Sequence, residues 1–176
     1  MYTAEFSKTR RDKISVHYIY PNDLPEQTDQ FEFVLIYKNG TPVLQLGIHL
    51  YYHCSPFRQI EFWKGFVAIG LEDVFILFNI TSGAQLVNKC SGYFGHIYIE
   101  DENIYIATAD EVMCYNDKPS LKWMSDTLGI DGVIITEIGQ TFLKGSGQHD
   151  PPDGWNDFVI TKETGKIIKD SDKEVG

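Results

Sequence analysis

The residues of this sequence best suited to binding chemistry lie in one short stretch, residues 145–157. His149 and Asp150 precede two prolines, and Asp153, Trp155 and Asp157 follow them. The carboxylates could supply oxygen ligands to a hard cation, with backbone carbonyls completing the coordination shell. The spacing does not match an EF-hand, and Asp before Pro or Gly is also an ordinary turn residue. The stretch is therefore a candidate ligand or partner site, with a purely structural turn as the alternative.

No sequence pattern indicates nucleophilic catalysis or phosphate binding. Gly145-Ser146-Gly147 lacks the strand-to-helix context that exposes a catalytic serine. No glycine-rich segment precedes a predicted helix, which a phosphate cradle would require. The cysteines, Cys54, Cys90 and Cys114, are widely spaced and contain no CxxC pair, so neither a disulfide framework nor a zinc site is indicated. We predict no catalytic residue, metal or cofactor, and cysteines that pack in the core.

Charge is distributed unevenly along the 176 residues, whose formal net charge is −10. Residues 1–90 carry 8 basic and 9 acidic side chains, and residues 91–176 carry 7 and 16. This balance disfavours nonspecific binding to nucleic acid or to an anionic membrane, and favours a basic protein partner. There is no secretory signal pattern and no apolar run of membrane-spanning length, so we expect a cytoplasmic location.

Strand patterns dominate the sequence and predict an all-β chain in a single domain, residues 1–176. Residues 31–37 and 42–50 flank Asn39-Gly40, a pair that accepts positive φ at both central positions of a hairpin turn. A further strand is predicted at 14–20, so that residues 1–60 form an N-terminal strand and hairpin. Residues 169–176 are expected to form a flexible tail. Ser120 to Leu128 is the best candidate for a helix, and is too short for more than one or two turns.

Residues 61–168 read as about three repeated units of strand, turn and strand. The first two units begin at Phe66 and Ile104, 38 residues apart, and the third begins at Val133. Repetition at this spacing is typical of β-propeller blades. Several of these strands are apolar at consecutive positions, which indicates cover on both faces. Residues 145–155 read as an insertion between the last two strands, and Trp63 and Trp123 read as packing anchors.

The stretch from Asp101 to Tyr115, followed by Leu121-Lys122-Trp123, resembles one blade of a quinoprotein-like β-propeller. The chain is also similar to small bacterial proteins of unknown function that share Gly92-Tyr93-Phe94-Gly95-His96, residues 128–133 and the 145–155 stretch. The resemblance implies an antiparallel, blade-like meander in an incomplete or small propeller. A β-sandwich or barrel-like arrangement is the alternative. The shared stretches add Tyr93 and His96 to the candidate site.

These features predict a noncatalytic protein-interaction module, for example an immunity or inhibitor protein that blocks a basic partner such as a nuclease toxin. The alternative function is a small-molecule or metal site, enzymatic or not, on the 145–157 loop. An incomplete propeller would also leave exposed end strands, which predicts self-association. The residues predicted to bind a ligand or partner are His149, Asp150, Asp153, Trp155, Tyr93 and His96.

Overall fold

The computed structural model describes residues 1–21, 31–50, 55–100, 102–116, 120–150 and 154–168. Cys54, Asp153 and the predicted tail at 169–176 lie outside these ranges. The contacts divide the chain into two compact units, Met1–Cys54 and Ser55–Gly176. Across the described ranges the protein is all-β, with four sheets, none of them closed into a barrel, and no helix.

The first unit is one four-stranded sheet with the order β1-β3-β4-β2. The predicted hairpin is confirmed, because Asn39 (φ 53°) and Gly40 (φ 79°) join β3 to its antiparallel partner β4. One strand departs from the expected meander, since β2 pairs parallel to β4. The buried Gln45 side chain explains this crossing, because its amide accepts a hydrogen bond from Arg11 N and donates one to Thr9 O, which holds the segment between β1 and β2. The strands are β1 (Tyr2–Ser7), β2 (Val16–Ile19), β3 (Phe31–Lys38) and β4 (Thr41–His49).

The second unit contains three sheets, each an antiparallel meander whose strands follow chain order. The first sheet is β5 (Arg58–Trp63), β6 (Phe66–Leu71), β7 (Val74–Asn79) and β8 (Gln85–Lys89). The second is β9 (Phe94–Glu100), β10 (Asn103–Thr108), β11 (Val112–Asn116) and β12 (Leu121–Met124). The third is β13 (Val133–Ile138), β14 (Phe142–Gln148) and β15 (Trp155–Thr161).

The middle sheet of this unit, β9–β12, is covered on both faces. Ile104, Ile106 and Tyr115 pack in one core with side chains of β5–β8. The alternate residues Tyr105 and Cys114 pack in a second core with side chains of β13–β15. Successive side chains of a strand point to opposite faces, so the consecutive apolar residues of β10 and β11 serve two cores. The prediction of two-sided cover, made for Val74–Phe78 and Val133–Ile135, is confirmed for Val74–Phe78, where all five residues are buried, whereas Ile134 is only partly buried.

Hydrogen bonds between the sheets repeat with the period seen in the sequence. Phe94 N donates to Glu72 O at 2.6 Å, and Gly132 N, 38 residues later, donates to Ala109 O at 2.7 Å. Each bond ties the first residues of one sheet to the β-turn at the centre of the sheet before it. The three sheets of the second unit therefore form a stack in which their corresponding ends lie on the same side.

The edges of β9 and β13 are capped by side chains from the preceding sheet. Ile97 N donates to Gln59 Oε1 at 2.9 Å, and Gln59 Nε2 donates to Ile97 O at 3.2 Å. Ile135 N donates to the Tyr98 hydroxyl at 3.1 Å. An edge strand with free N–H and C=O groups invites pairing with another chain, and these bonds satisfy such groups internally.

The glycine-rich stretch at 145–155 begins and ends in strand, which corrects the bounds of the predicted insertion. Gly145 and Gly147 belong to β14, and Trp155 begins β15, so only residues 149–154 lie between the two strands. A methyl group on Gly147 would overlap the Leu128 carbonyl oxygen, and one on Gly145 would overlap the Ile134 oxygen. These glycines therefore permit close packing of backbones and do not mark a loop.

Two further expectations concern residues 120–128 and the tryptophans. No helix forms at 120–128, because residues 121–124 pair with β11 as strand β12. Trp63 and Trp123 are buried, at 4% and 8% exposure, which confirms their packing role. The Trp123 indole N–H donates to Lys162 O at 2.9 Å, and a Cβ on Gly165 would overlap its ring. Trp123 of β12 thus connects the second sheet of this unit to the segment that follows β15 in the third.

Candidate functional site

One end of the three-sheet stack is acidic. It comprises the connections before β5, between β6 and β7, between β8 and β9, between β10 and β11, between β12 and β13, and between β14 and β15. We call it the acidic end. Its described acidic residues are Glu72, Asp73, Asp110, Glu111, Asp126, Asp131 and Asp150.

No Lys or Arg occurs in these connections at residues 55–57, 72–73, 90–93, 109–111, 125–132 or 149–154. The basic residues next to these connections are Arg58, the first residue of β5, and Lys89, the last residue of β8. The Lys89 ammonium lies 3.2 Å from the Asp73 carboxylate. The opposite end of the stack is mixed in charge. There Lys64 pairs with Glu102 at 2.9 Å, and Lys162 pairs with Glu100 at 2.6 Å. Among the described residues, Lys64 and Lys162 thus offset carboxylates at the opposite end, whereas the connections of the acidic end contain no Lys or Arg.

Two adjacent carboxylates sit in the turn between β10 and β11. Asp110 is held by hydroxyl donors, Ser91 Oγ at 2.7 Å and Thr108 Oγ1 at 3.1 Å. The neighbouring Glu111 is partly buried and makes no ion pair within the described part of the chain. Burial, and secondly the charge of Asp110, raise the pKa of Glu111 above its ordinary value. A cation bound close to this turn would stabilise the ionised form of Glu111 and so offset both effects on its pKa.

Half-exposed aromatic rings border the acidic charge. Phe57 is 40% exposed and stacks on Tyr93 with ring centroids 6.0 Å apart. His96 lies 5.5 Å from the Phe57 ring. Trp155, 43% exposed, and the Tyr93 hydroxyl come within 3.4 and 3.6 Å of the position that a Cβ on Gly132 would occupy. We call Phe57, Tyr93 and Trp155 the aromatic strip. Phe57 and Tyr93 stand directly before β5 and β9, and Trp155 is the first residue of β15.

Asp131 lies beside Tyr93 of this strip. The Tyr93 hydroxyl donates to Asp131 O at 2.7 Å and approaches its Oδ1 at 3.4 Å. Burial, followed by the negative charge of Asp131, raises the pKa of Tyr93, so the phenol stays protonated as a donor at neutral pH. The Asp131 side chain is exposed, and no Lys or Arg of the described residues pairs with it. Its carboxylate is therefore open to a cation from outside.

Backbone hydrogen bonds fix the loop that carries Asp131. Leu128 N donates to Asp110 O at 2.7 Å, Ile130 N to Gln148 O at 2.7 Å, and Gln148 N to Gly132 O at 2.9 Å. The three stretches behind the sequence resemblance, at 92–96, 128–133 and 145–155, therefore meet at the acidic end. Glycines in each stretch permit this approach; for example, a Cβ on Gly92 would stand 2.6 Å from that of Ala109.

The described candidate residues of the 145–157 stretch, His149, Asp150 and Asp157, do not converge on one point. His149 and Asp150 are exposed, and their turn is closed by His149 N donating to Gly154 O and Gly154 N donating to Asp150 O, both at 2.7 Å. Asp157 points elsewhere and accepts a hydrogen bond from Ser146 Oγ at 2.6 Å. The described residues contain no group of three or more His, Cys, Asp or Glu placed to hold a metal ion.

Of the predicted site residues, the structure brings Tyr93, His96 and Trp155 into one patch, and places His149 and Asp150 on an adjoining turn of the same end. Sequence reasoning missed Phe57 and Asp131. Phe57 follows a proline and shows no periodic pattern, whereas Asp131 stands in a stretch that was noted only for its resemblance. A search for acidic residues in every second turn would have found Asp131.

No protein-family model matches the chain, and no curated protein sequence matches it either. No helix in the described ranges has the length and apolar character needed to cross a membrane.

Proposed function

We propose that this protein is a noncatalytic binding module whose acidic end engages a basic protein. The observation that carries the proposal is the one-sided charge: the acidic end combines carboxylates without Lys or Arg in its connections, whereas at the opposite end Lys64 and Lys162 pair with Glu102 and Glu100. Complementary potentials of this kind speed encounter and select partners by charge. An immunity or inhibitor protein that blocks a basic toxin, such as a nuclease, is one form of this function.

Exposed aromatic rings beside the carboxylates support the proposal. Phe57 and Trp155 keep 40% and 43% of their surface accessible. Binding surfaces are enriched in such residues because they bury a large area at small entropic cost. Rigidity of the loops adds to this support, since Ile130 and Gly132 are held by backbone hydrogen bonds and the Asp131 carbonyl accepts one from the Tyr93 hydroxyl, so this segment need not be ordered on binding.

The blade resemblance enters this proposal as a statement of architecture. We propose that the three sheets of Ser55–Gly176 are blades of an incomplete propeller, and the 38-residue repeat of the inter-sheet bonds supports it.

Self-association through strand edges has less support, because Gln59 and Tyr98 cap the edges of β9 and β13. A cytoplasmic location fits the buried thiols of Cys90 and Cys114, since secreted domains commonly use their cysteines in disulfides.

The test is affinity capture from the native host with three forms of the protein. The acidic-end variant carries Asp126→Asn and Asp150→Asn, and a matched control carries Glu102→Gln and Glu163→Gln. Both variants change the net charge by the same amount, and all four side chains are exposed. We expect a basic protein that wild type and control retain, that the acidic-end variant loses, and that elutes with moderate salt. Equal retention by all three forms, or retention that salt leaves unchanged, would contradict the proposal.

A further inference from the structure

The aromatic strip has a feature that general acidity does not explain. The Tyr93 hydroxyl donates to the Asp131 carbonyl oxygen and lies 3.4 Å from the exposed Asp131 carboxylate. Tyr93 and the exposed indole of Trp155 both border Gly132, the next residue. A lysine-rich or an arginine-rich partner would be attracted equally by the net charge. The strip offers a flat π-surface and a carboxylate together, and only one of the two basic side chains can use both.

We propose that the aromatic strip and Asp131 anchor an arginine side chain of the partner. The guanidinium is planar, so it stacks on an aromatic face while its edge donates two hydrogen bonds to a carboxylate. A lysine ammonium is a compact, strongly hydrated charge that gains less from such a surface. This inference rests on the proposed function, because it names the chemical group by which the basic partner is held.

The surroundings of the strip favour a cation over an apolar side chain. Asp110, Asp126 and Asp150 lie on the adjoining connections of the same end, and these connections contain no Lys or Arg. The negative potential of these groups would repel an anionic ligand and strengthen a cation–π contact. The hydrogen bond from Tyr93 fixes the Asp131 loop, so the carboxylate is positioned before the partner arrives.

The probes for the test are fluorescently labelled octa-arginine and octa-lysine peptides of equal charge, measured by anisotropy at the same ionic strength. We expect wild type to bind octa-arginine about three- to ten-fold more tightly than octa-lysine, as a partly desolvated cation–π contact with a carboxylate would give. Trp155→Ala and Asp131→Asn should each reduce this preference to near one. Trp155→Phe, which keeps a ring, should retain part of the preference.

Matched controls distinguish a specific effect of the aromatic strip from a general effect of apolar exposure or of negative charge. Leu121→Ala removes an apolar side chain of similar exposure, 44%, at a distant strand edge, and Glu163→Gln removes a carboxylate at the opposite end. Both should keep the arginine preference. A urea midpoint equal to that of wild type establishes that each variant is folded.

Equal binding of the two peptides by wild type would overturn the arginine anchor, as would a preference that survives in Asp131→Asn. If Asp126→Asn with Asp150→Asn still abolishes partner capture in that case, the proposed function stands without the anchor. If octa-arginine is preferred but no partner depends on the acidic end, the proposed function fails and the strip remains an arginine site.

Discussion

Gly147 is the position at which a single methyl group should do most damage to the acidic end. A Cβ there would overlap the Leu128 carbonyl oxygen and stand 2.6 Å from its carbonyl carbon and 3.0 Å from Gly129 Cα. All three neighbours are backbone atoms, so no side-chain rotation relieves the overlap. Gly147→Ala must therefore push residues 128–132 away from β14.

The expected loss of stability follows from the contacts that this shift breaks. Forcing extra volume into a packed region costs about 1–3 kcal/mol. The bonds from Ile130 N to Gln148 O and from Gln148 N to Gly132 O flank the site, and each contributes about 1 kcal/mol. We expect Gly147→Ala to lower the free energy of unfolding by about 3–5 kcal/mol, a large share of what a domain of this size has.

Tryptophan fluorescence in urea measures this loss, because Trp63, Trp123 and Trp155 all lie in the second unit. With a slope of about 1–3 kcal/mol per molar urea, a loss of about 3–5 kcal/mol lowers the midpoint by about 1–5 M. Gly83→Ala is the control: its φ of +72° strains any L-residue, at about 1–2 kcal/mol, but its Cβ would meet nothing within 4 Å. A Gly147→Ala protein as stable as wild type, or no less stable than Gly83→Ala, would refute the reasoning.

Three further predictions concern a hydroxyl, a thiol and a carboxylate. Tyr98→Phe leaves Ile135 N without its acceptor and should lower the free energy of unfolding by about 1–3 kcal/mol, read from the urea midpoint. Burial raises the pKa of Cys114 to about 12, so iodoacetamide at mildly alkaline pH should leave it unmodified in the native protein and alkylate it after unfolding, as peptide mass spectrometry would show. Glu111→Gln should stabilise the protein at neutral pH, because burial and the Asp110 charge raise the pKa of Glu111 when the chain folds and the ionised form is then disfavoured.

Each of these predictions has a clear contrary result. An unchanged urea midpoint in Tyr98→Phe would mean that the edge of β13 does not need the hydroxyl. Rapid alkylation of Cys114 in the native state would show that its strand opens readily. The benefit of Glu111→Gln should fade as the pH falls below the ordinary carboxyl pKa of 4.5, where both states are protonated. A benefit that persists there would point to a cause other than ionisation.

Local patterns were sufficient to predict much of the fold. Asn39-Gly40 predicts the hairpin because few other pairs accept positive φ at two successive positions. Val74–Phe78 predicts two-sided burial because its five apolar residues are consecutive, and all five are buried. Strands with weaker patterns, such as β5 and β12, were missed, because their polar residues are satisfied by neighbouring sheets and by solvent.

The candidate site was only partly predictable. Tyr93, His96 and Trp155 were selected from the sequence, but the contacts that join them through Phe57 and Gly132 connect residues 23 to 39 positions apart. Gly145 and Gly147 were assigned to a loop, because a glycine that frees the backbone and a glycine that admits a neighbouring backbone look identical in a sequence. Only the position of Leu128 O distinguishes the two roles.

The sequence by itself determined the all-β class, the 38-residue spacing and the excess of negative charge in residues 91–176, because each depends on composition or on short-range periodicity. The tertiary structure decided where that charge is left unbalanced. Antiparallel meanders return every second connection to the same end, so residues as distant as Asp110, Asp131 and Asp150 come to share one surface with Phe57 and Trp155. The distribution of charge over a surface is a property of the topology, and no local pattern encodes it.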